Sequence, residues 1–145
     1  MLQIYCALLG WNCPGLEEVF DDMDRTIVHF EIPANDPAKL REFYSKLFGW
    51  TFEKFAGSEM EYWMIKTKAK DEDVGVNGGM MKKMDPNQRP LNYVLVESVD
   101  DFSKKLVQLG GKIVMPKTEI PNMGHFAVAL DPEGNGFGIF ESSQQ

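Results

Sequence analysis

His29 and Glu31 are the residues best suited to chemistry, and they stand two positions apart in the stretch VHFEIPAND, residues 28–36. In a β-strand, side chains at positions i and i+2 point to the same face. Histidine ionises near neutral pH, and a carboxylate with a raised pKa can exchange protons with a bound molecule. The pair is therefore a candidate for acid–base catalysis, for hydrogen bonding to a ligand, or for holding a metal. The ordinary alternative is a histidine whose hydrogen bonds are made by neighbours such as Glu31 or Tyr93.

Three further positions are candidates for binding a ligand. Tyr93 offers a phenolic hydroxyl, and His125 begins another alternating stretch. Gly138 stands inside the last alternating stretch, and a glycine in a strand interior usually indicates that another group approaches the backbone closely. We expect that group to be a ligand. For His125, a place at the rim of the pocket is an equal alternative, and either Tyr62 or Trp63 could stack on a planar ligand.

A duplicated pattern would position these residues. His29 and Tyr93 each precede an aspartate by seven positions, Asp36 and Asp100 respectively. Either aspartate can cap a helix, and an apolar stripe with helical spacing follows each of them. Glycines then close both patterns, as they commonly close helices. The stripes are Leu40, Phe43, Tyr44 and Leu47 in the first copy and Phe102, Leu106 and Leu109 in the second, closed by Gly49 and by Gly110 and Gly111.

After each helix the apolar spacing changes to a period of two, which predicts strands. Each copy then has the order strand–helix–strand–strand–strand. The predicted fold is α+β, with two βαβββ modules at 25–84 and 91–143 joined by a linker at 85–90 into a single domain. The modules should form a curved, mainly antiparallel sheet around a cavity, with the helices outside. The strands predicted after the helices are 50–55, 60–66, 74–83, 112–115, 124–130 and 136–141.

Alternation also predicts which side chains face the cavity. Val28, Phe30 and Ile32 form an apolar face that a helix should cover, so His29 and Glu31 should point inward. The small residues expected on the inward face of the second module predict empty space there. The inward residues expected in the second module are Tyr93, Leu95, Glu97, His125, Ala127, Ala129, Gly136, Gly138 and Phe140.

Composition excludes several classes of partner. The formal net charge is −7, and the sequence has no basic stripe, the nearest candidates being the short lysine groups at 66–70 and 82–83, which we interpret as solvated edges and turns. This argues against binding to nucleic acid or to an anionic membrane. The two cysteines, Cys6 and Cys13, match neither a zinc site nor a disulfide framework, which favours a cytoplasmic protein. The apolar stretch 4–11 is too short to span a membrane. Residues 1–24 are predicted to be an N-terminal appendage.

Two segments of the sequence resemble the vicinal oxygen chelate superfamily, which includes glyoxalases, bleomycin-resistance proteins and extradiol dioxygenases. They are HFEIPANDPAKLREFYSKLFGW (29–50) and GHFAVALDPEGNGFGIFE (124–141). The resemblance implies a divalent metal inside the curved sheet, held by His or Glu from the first and last strands of each half. The matching positions are His29, Tyr93, Gly138 and the stretch VNGGMM at 76–81. Only His29 is a usual ligand, so a full metal-binding set is not expected.

The resemblance and the missing ligands favour a protein similar to the bleomycin-resistance branch. Such a protein would bind a small organic molecule in the inward-facing cavity through His29, Glu31, Tyr93, His125 and the space beside Gly138. No cofactor is expected on this interpretation, although a divalent metal is possible, and the resemblance implies a homodimer. The alternative is a metal-dependent enzyme, either a glyoxalase-like lyase or isomerase or a dioxygenase, with His29 and Glu31 as the catalytic candidates.

Overall fold

A computed structural model describes residues 24–143, which form two helices and one sheet of eight strands. The predicted appendage, residues 1–24, lies outside this range except for Asp24. Neither helix of the described range is long and apolar enough to cross a membrane. In chain order the elements are β1 (Ile27–Ala34), α1 (Pro37–Phe48), β2 (Thr51–Lys54), β3 (Tyr62–Lys66), β4 (Gly78–Lys82), β5 (Leu91–Leu95), α2 (Val99–Gln108), β6 (Lys112–Ile120), β7 (Gly124–Leu130) and β8 (Gly136–Ser142).

Helix α1 has the boundaries that its sequence predicts. The Asp36 carboxylate accepts a hydrogen bond from the Lys39 backbone N–H at 3.1 Å, and Pro37 occupies the first turn, where its missing N–H costs nothing. Gly49 ends the helix in the left-handed conformation, with φ of 73°.

Helix α2 begins at a different residue from the one predicted. Its N-cap is Ser98, whose hydroxyl accepts a hydrogen bond from the Asp101 N–H at 3.2 Å. Asp100 lies in the first turn, where the helix dipole stabilises a negative charge. Its carboxylate forms an ion pair with Lys117 at 2.7 Å. The prediction of Asp100 as the cap was wrong because a serine two positions earlier already satisfies the free N–H.

The sheet confirms the duplicated plan. Its strand order is β2-β3-β4-β1-β5-β8-β7-β6. Within each half the first strand pairs in parallel with the last, β1 with β4 and β5 with β8, and the halves join through the antiparallel pair β1 and β5. The result is an open mixed sheet that does not close into a barrel. Strand β6 extends to Ile120, five residues beyond the predicted end at 115.

The helices cover one face of the sheet, and the apolar core lies under them. Core residues from β7, β8 and the segment after β5 pack with Phe102 of α2, and residues from β1, β3 and β4 pack with Leu40 and Tyr44 of α1. The remaining stripe residues of α1, Phe43 and Leu47, are 54% and 56% exposed, so α1 buries only part of its apolar surface in the described range. The buried core side chains are Val96, Val99, Ala127 and Ile139 in the second half and Ala34, Ile65 and Met80 in the first.

Candidate functional site

Four side chains meet on the sheet face opposite the helices, and we call them the polar cluster: His29 and Glu31 of β1, Tyr62 of β3 and Tyr93 of β5. The Tyr62 hydroxyl oxygen lies 2.9 Å from His29 Nε2 and 3.0 Å from Glu31 Oε2. The Tyr93 hydroxyl lies 3.3 Å from Glu31 Oε1. The face of the sheet that alternation along β1 predicts for His29 and Glu31 is therefore the face on which they lie.

The number of donors and acceptors in the cluster determines where its protons lie. Each phenol has one proton, and both phenols donate it to Glu31, whose two oxygens accept them. The Tyr62 oxygen can then only accept from His29, so His29 carries its proton on Nε2. This assignment leaves Nδ1 of His29 with a free lone pair that can accept a hydrogen bond.

Burial controls the charges of the cluster. It lowers the pKa of His29 from 6.5 to about 4, so the imidazole is neutral at pH 7. Burial raises the pKa of Glu31, and the hydrogen bonds from Tyr62 and Tyr93 oppose that rise. Burial together with the nearby Glu31 also raises the pKa of both tyrosines, which therefore remain protonated donors. The cluster thus contains one acidic group and three neutral ones.

Tyrosine rings fill the space beside two glycines. A Cβ atom on Gly138 would overlap the ring of Tyr93, and one on Gly79 would overlap the hydroxyl of Tyr62. The glycines are needed because the rings lie directly against their backbone. The hollow predicted beside Gly138 is therefore absent, since the ring of Tyr93, only 7% exposed, occupies it.

The structure also contradicts the predicted orientation of His125. In the antiparallel pair of β7 and β8, His125 lies opposite Glu141, and Ala127 lies opposite Ile139. Opposed residues share a face, and Ile139 is in the core under α2. His125 and Ala127 are therefore on the helix side, and Phe126 faces the cluster, with its ring centroid 6.1 Å from that of Tyr93. The small residues of β7 leave space for helix packing and not for a ligand.

Tyr62 is the functional candidate whose role the sequence did not reveal. It was considered only as a ring that could stack on a ligand, whereas its hydroxyl links His29 to Glu31. Strand β3 reaches this position because it pairs with β4, and β4 pairs with β1. The available signal was the alternation of β3, which places Tyr62 and Met64 on the face opposite the buried Ile65.

The residues present do not fit the divalent metal that the family resemblance implies. Within residues 24–143, no group of three His, Cys, Asp or Glu side chains is arranged to hold a metal ion. Two of the expected ligand positions are Gly138 and the glycine-containing stretch 76–81, and the neighbouring space is filled by tyrosine rings. A catalytic metal site usually takes about three protein ligands, and His29 and Glu31 provide only two.

Two surface hollows lie on the helix side of the sheet, away from the polar cluster. One is between α1 and β2, where it is lined by Arg41 and Trp50, and the other is beside α2, lined by Phe102 and Leu106. Neither hollow is lined by a member of the polar cluster. The partly buried polar cluster on the open face of the sheet is therefore the better candidate for a functional site.

Comparison with known proteins agrees with the fold. The chain is similar to CFP32 of Mycobacterium bovis, which is named provisionally as a glyoxylase, with 25% identity over 79% of this chain and 44% of CFP32. It thus spans less than half the length of that relative. It is also similar to a glyoxylase-like domain-containing protein of Didymella fabae, with 27% identity over 75% of this chain and 88% of the relative.

A solved structure shares the same architecture. The methylmalonyl-CoA epimerase from Mycobacterium tuberculosis superposes with a TM-score of 0.59 at 13% identity, covering 81% of this chain and 87% of the epimerase. Identity this low shows the fold alone. The sequence model of one family matches residues 26–139, which include most of both modules and every member of the polar cluster. The chain therefore belongs to the Glyoxalase/Bleomycin resistance protein/Dioxygenase superfamily.

Proposed function

We propose that this protein binds a small organic molecule on the open face of its sheet, over the polar cluster and without the metal-ligand set of its family. The observation that carries the proposal is the connected cluster His29–Tyr62–Glu31–Tyr93 on a face that neither described helix covers. Burying an ionisable carboxylate and a histidine together is costly in free energy. Such groups are common where a protein must recognise or transform a ligand.

Apolar side chains surround the cluster, as is typical of small-molecule sites. The rings of Phe55 and Phe126 lie edge-on to Tyr62 and Tyr93, with centroid separations of 6.4 and 6.1 Å. Met64 follows Tyr62 by two positions on the same face of β3, and its polarisable thioether adapts to ligands of different shape. The mixture favours a ligand that has a ring or apolar body and one polar group.

The metal-dependent lyase or dioxygenase is the less favoured function. It needs a donor set that His29 and Glu31 do not complete. We also retain two proposals from the sequence: a cytoplasmic location, based on the absence of a disulfide pattern, and a homodimer, supported by the exposed apolar side chains of Phe43, Leu47 and Phe48 on and beside the surface of α1.

A fragment screen by ligand-observed NMR tests the proposed function. We expect fragments with one ring and one polar group to bind the wild-type protein, and Met64→Trp to weaken binding at least tenfold because the larger ring obstructs the open face. Phe43→Trp is the control, since it also introduces an indole, in place of a smaller exposed ring on α1 away from the polar cluster. Binding that survives Met64→Trp unchanged, or a screen without any bound fragment, would contradict the proposal.

A further inference from the structure

Among residues 24–143, Glu31 differs from two other partly buried carboxylates, Glu97 and Glu141, in having no cationic partner. Glu97 forms an ion pair with Arg25 at 2.6 Å, and Glu141 lies 3.6 Å from Lys117 while also accepting the Val99 N–H. Among residues 24–143, the groups that hydrogen-bond to Glu31 are two phenols. No lysine or arginine of that range forms an ion pair with it.

The neighbours of Glu31 in the polar cluster do not supply a positive charge. His29 is neutral at pH 7 because burial lowers its pKa to about 4, and its Nε2–H is directed to Tyr62. The tyrosines are neutral donors. Each oxygen of Glu31 accepts one phenol and retains lone-pair capacity for another donor. A partly buried carboxylate with only neutral donors is stabilised further when a positive charge approaches it.

The surrounding rings also favour a positively charged ligand. Tyr62 and Tyr93 contact the carboxylate, and the rings of Phe55 and Phe126 lie edge-on to these tyrosines. Aromatic rings attract cations through their electron-rich faces. A divalent metal would need additional charged ligands, whereas a singly charged organic group needs only one carboxylate. Such a group also has apolar carbon that can pack against these rings.

We propose that the molecule bound at the polar cluster carries a positively charged organic group, such as a protonated amine, that sits against Glu31. This inference rests on the proposed function, since it specifies the chemistry of the ligand for the same site. Glu31 supplies the charge, the phenols hold its oxygens in place, and the rings pack against the carbon atoms of the ligand.

NMR titrations with three probes of one shape test the inference: benzylamine, benzyl alcohol and benzoate. In the wild-type protein we expect benzylamine to bind at least tenfold more tightly than benzyl alcohol, and benzoate to bind most weakly. Glu31→Gln should reduce the preference for benzylamine over benzyl alcohol to within about twofold. Glu133→Gln, in the exposed turn before β8, removes the same formal charge elsewhere and should leave the preference intact.

The possible results separate the two proposals. If the alcohol binds as tightly as the amine, or if the preference persists in Glu31→Gln, the inference is wrong and the proposed function stands. If none of the probes binds the wild-type protein, both are overturned. The wild-type series decides whether the preference exists even if Glu31→Gln does not fold, which circular dichroism would report.

Discussion

Gly138→Ala is expected to lower the free energy of unfolding by about 2–3 kcal/mol, because the added methyl group would overlap the ring of Tyr93. Tyr93 is 7% exposed and packs against Phe126, so its ring cannot move away freely. Displacing the ring would also weaken its hydrogen bond to Glu31, a contribution of about 1 kcal/mol. Urea unfolding followed by circular dichroism measures the change.

Gly136→Ala is the matched control on the same face of β8. Its methyl group would meet Leu91 Cδ2 at 2.9 Å and Leu130 Cδ2 at 4.0 Å, both flexible ends of side chains, so we expect a change within about 1 kcal/mol. Combining Gly138→Ala with Tyr93→Leu should cost less than the sum of the two single changes, since the smaller side chain leaves room for the methyl group. Equal effects at Gly136 and Gly138 would show that Tyr93 does not occupy this space.

The protein should lose stability as the pH falls from about 6.5 to about 4, and His29 should account for about 2 kcal/mol of the loss. The pKa of His29 is about 4 in the folded state and near 6.5 when unfolded, so only the unfolded chain binds this proton between those values. The contribution of His29 is complete above pH 6.5 and disappears as the pH falls through this window. A pKa shift of one unit corresponds to about 1.4 kcal/mol of stability. We expect a smaller contribution per unit from His29 because its side chain is only partly buried.

Comparison with His29→Gln isolates this effect, because glutamine keeps a hydrogen-bond donor for Tyr62 but does not titrate. Glu31 acts in the opposite direction, since its raised pKa lets the folded protein gain that proton first as the pH falls. That contribution is present in both proteins and largely cancels from the difference. Urea midpoints at pH 7.5 and 4.5 should fall further for wild type than for His29→Gln. Parallel decreases would exclude a buried, neutral His29.

The inward orientation of His29 and Glu31 could be predicted because β1 alternates clearly between apolar and polar residues. Strand β7 gives no such contrast, since HFAVAL has apolar residues on both faces. The sequence therefore did not distinguish alanines that lie under a helix from alanines that line a cavity. The wrong face for His125 followed from that ambiguity.

The polar cluster itself depends on contacts between distant parts of the chain. Tyr62 lies 31 residues from Glu31, and Tyr93 lies 62 residues from it. Alternation predicts a face for each residue but not which side chains meet across several strands. Gly138 likewise indicated that a group approaches the backbone, and the sequence did not show that the group is the ring of Tyr93.

Methyl NMR of ¹³C-methionine-labelled protein tests most directly whether the open face of the sheet binds a ligand. Met64 and Met81 lie on that face, opposite Gly79 and Tyr62 in the paired strands, and Met115 lies on the distant strand β6. On addition of benzylamine we expect saturable shifts of the Met64 and Met81 methyl signals and an unchanged Met115 signal. Shifts confined to methionines elsewhere, or no saturable shift at Met64 and Met81, would contradict a ligand site at the polar cluster.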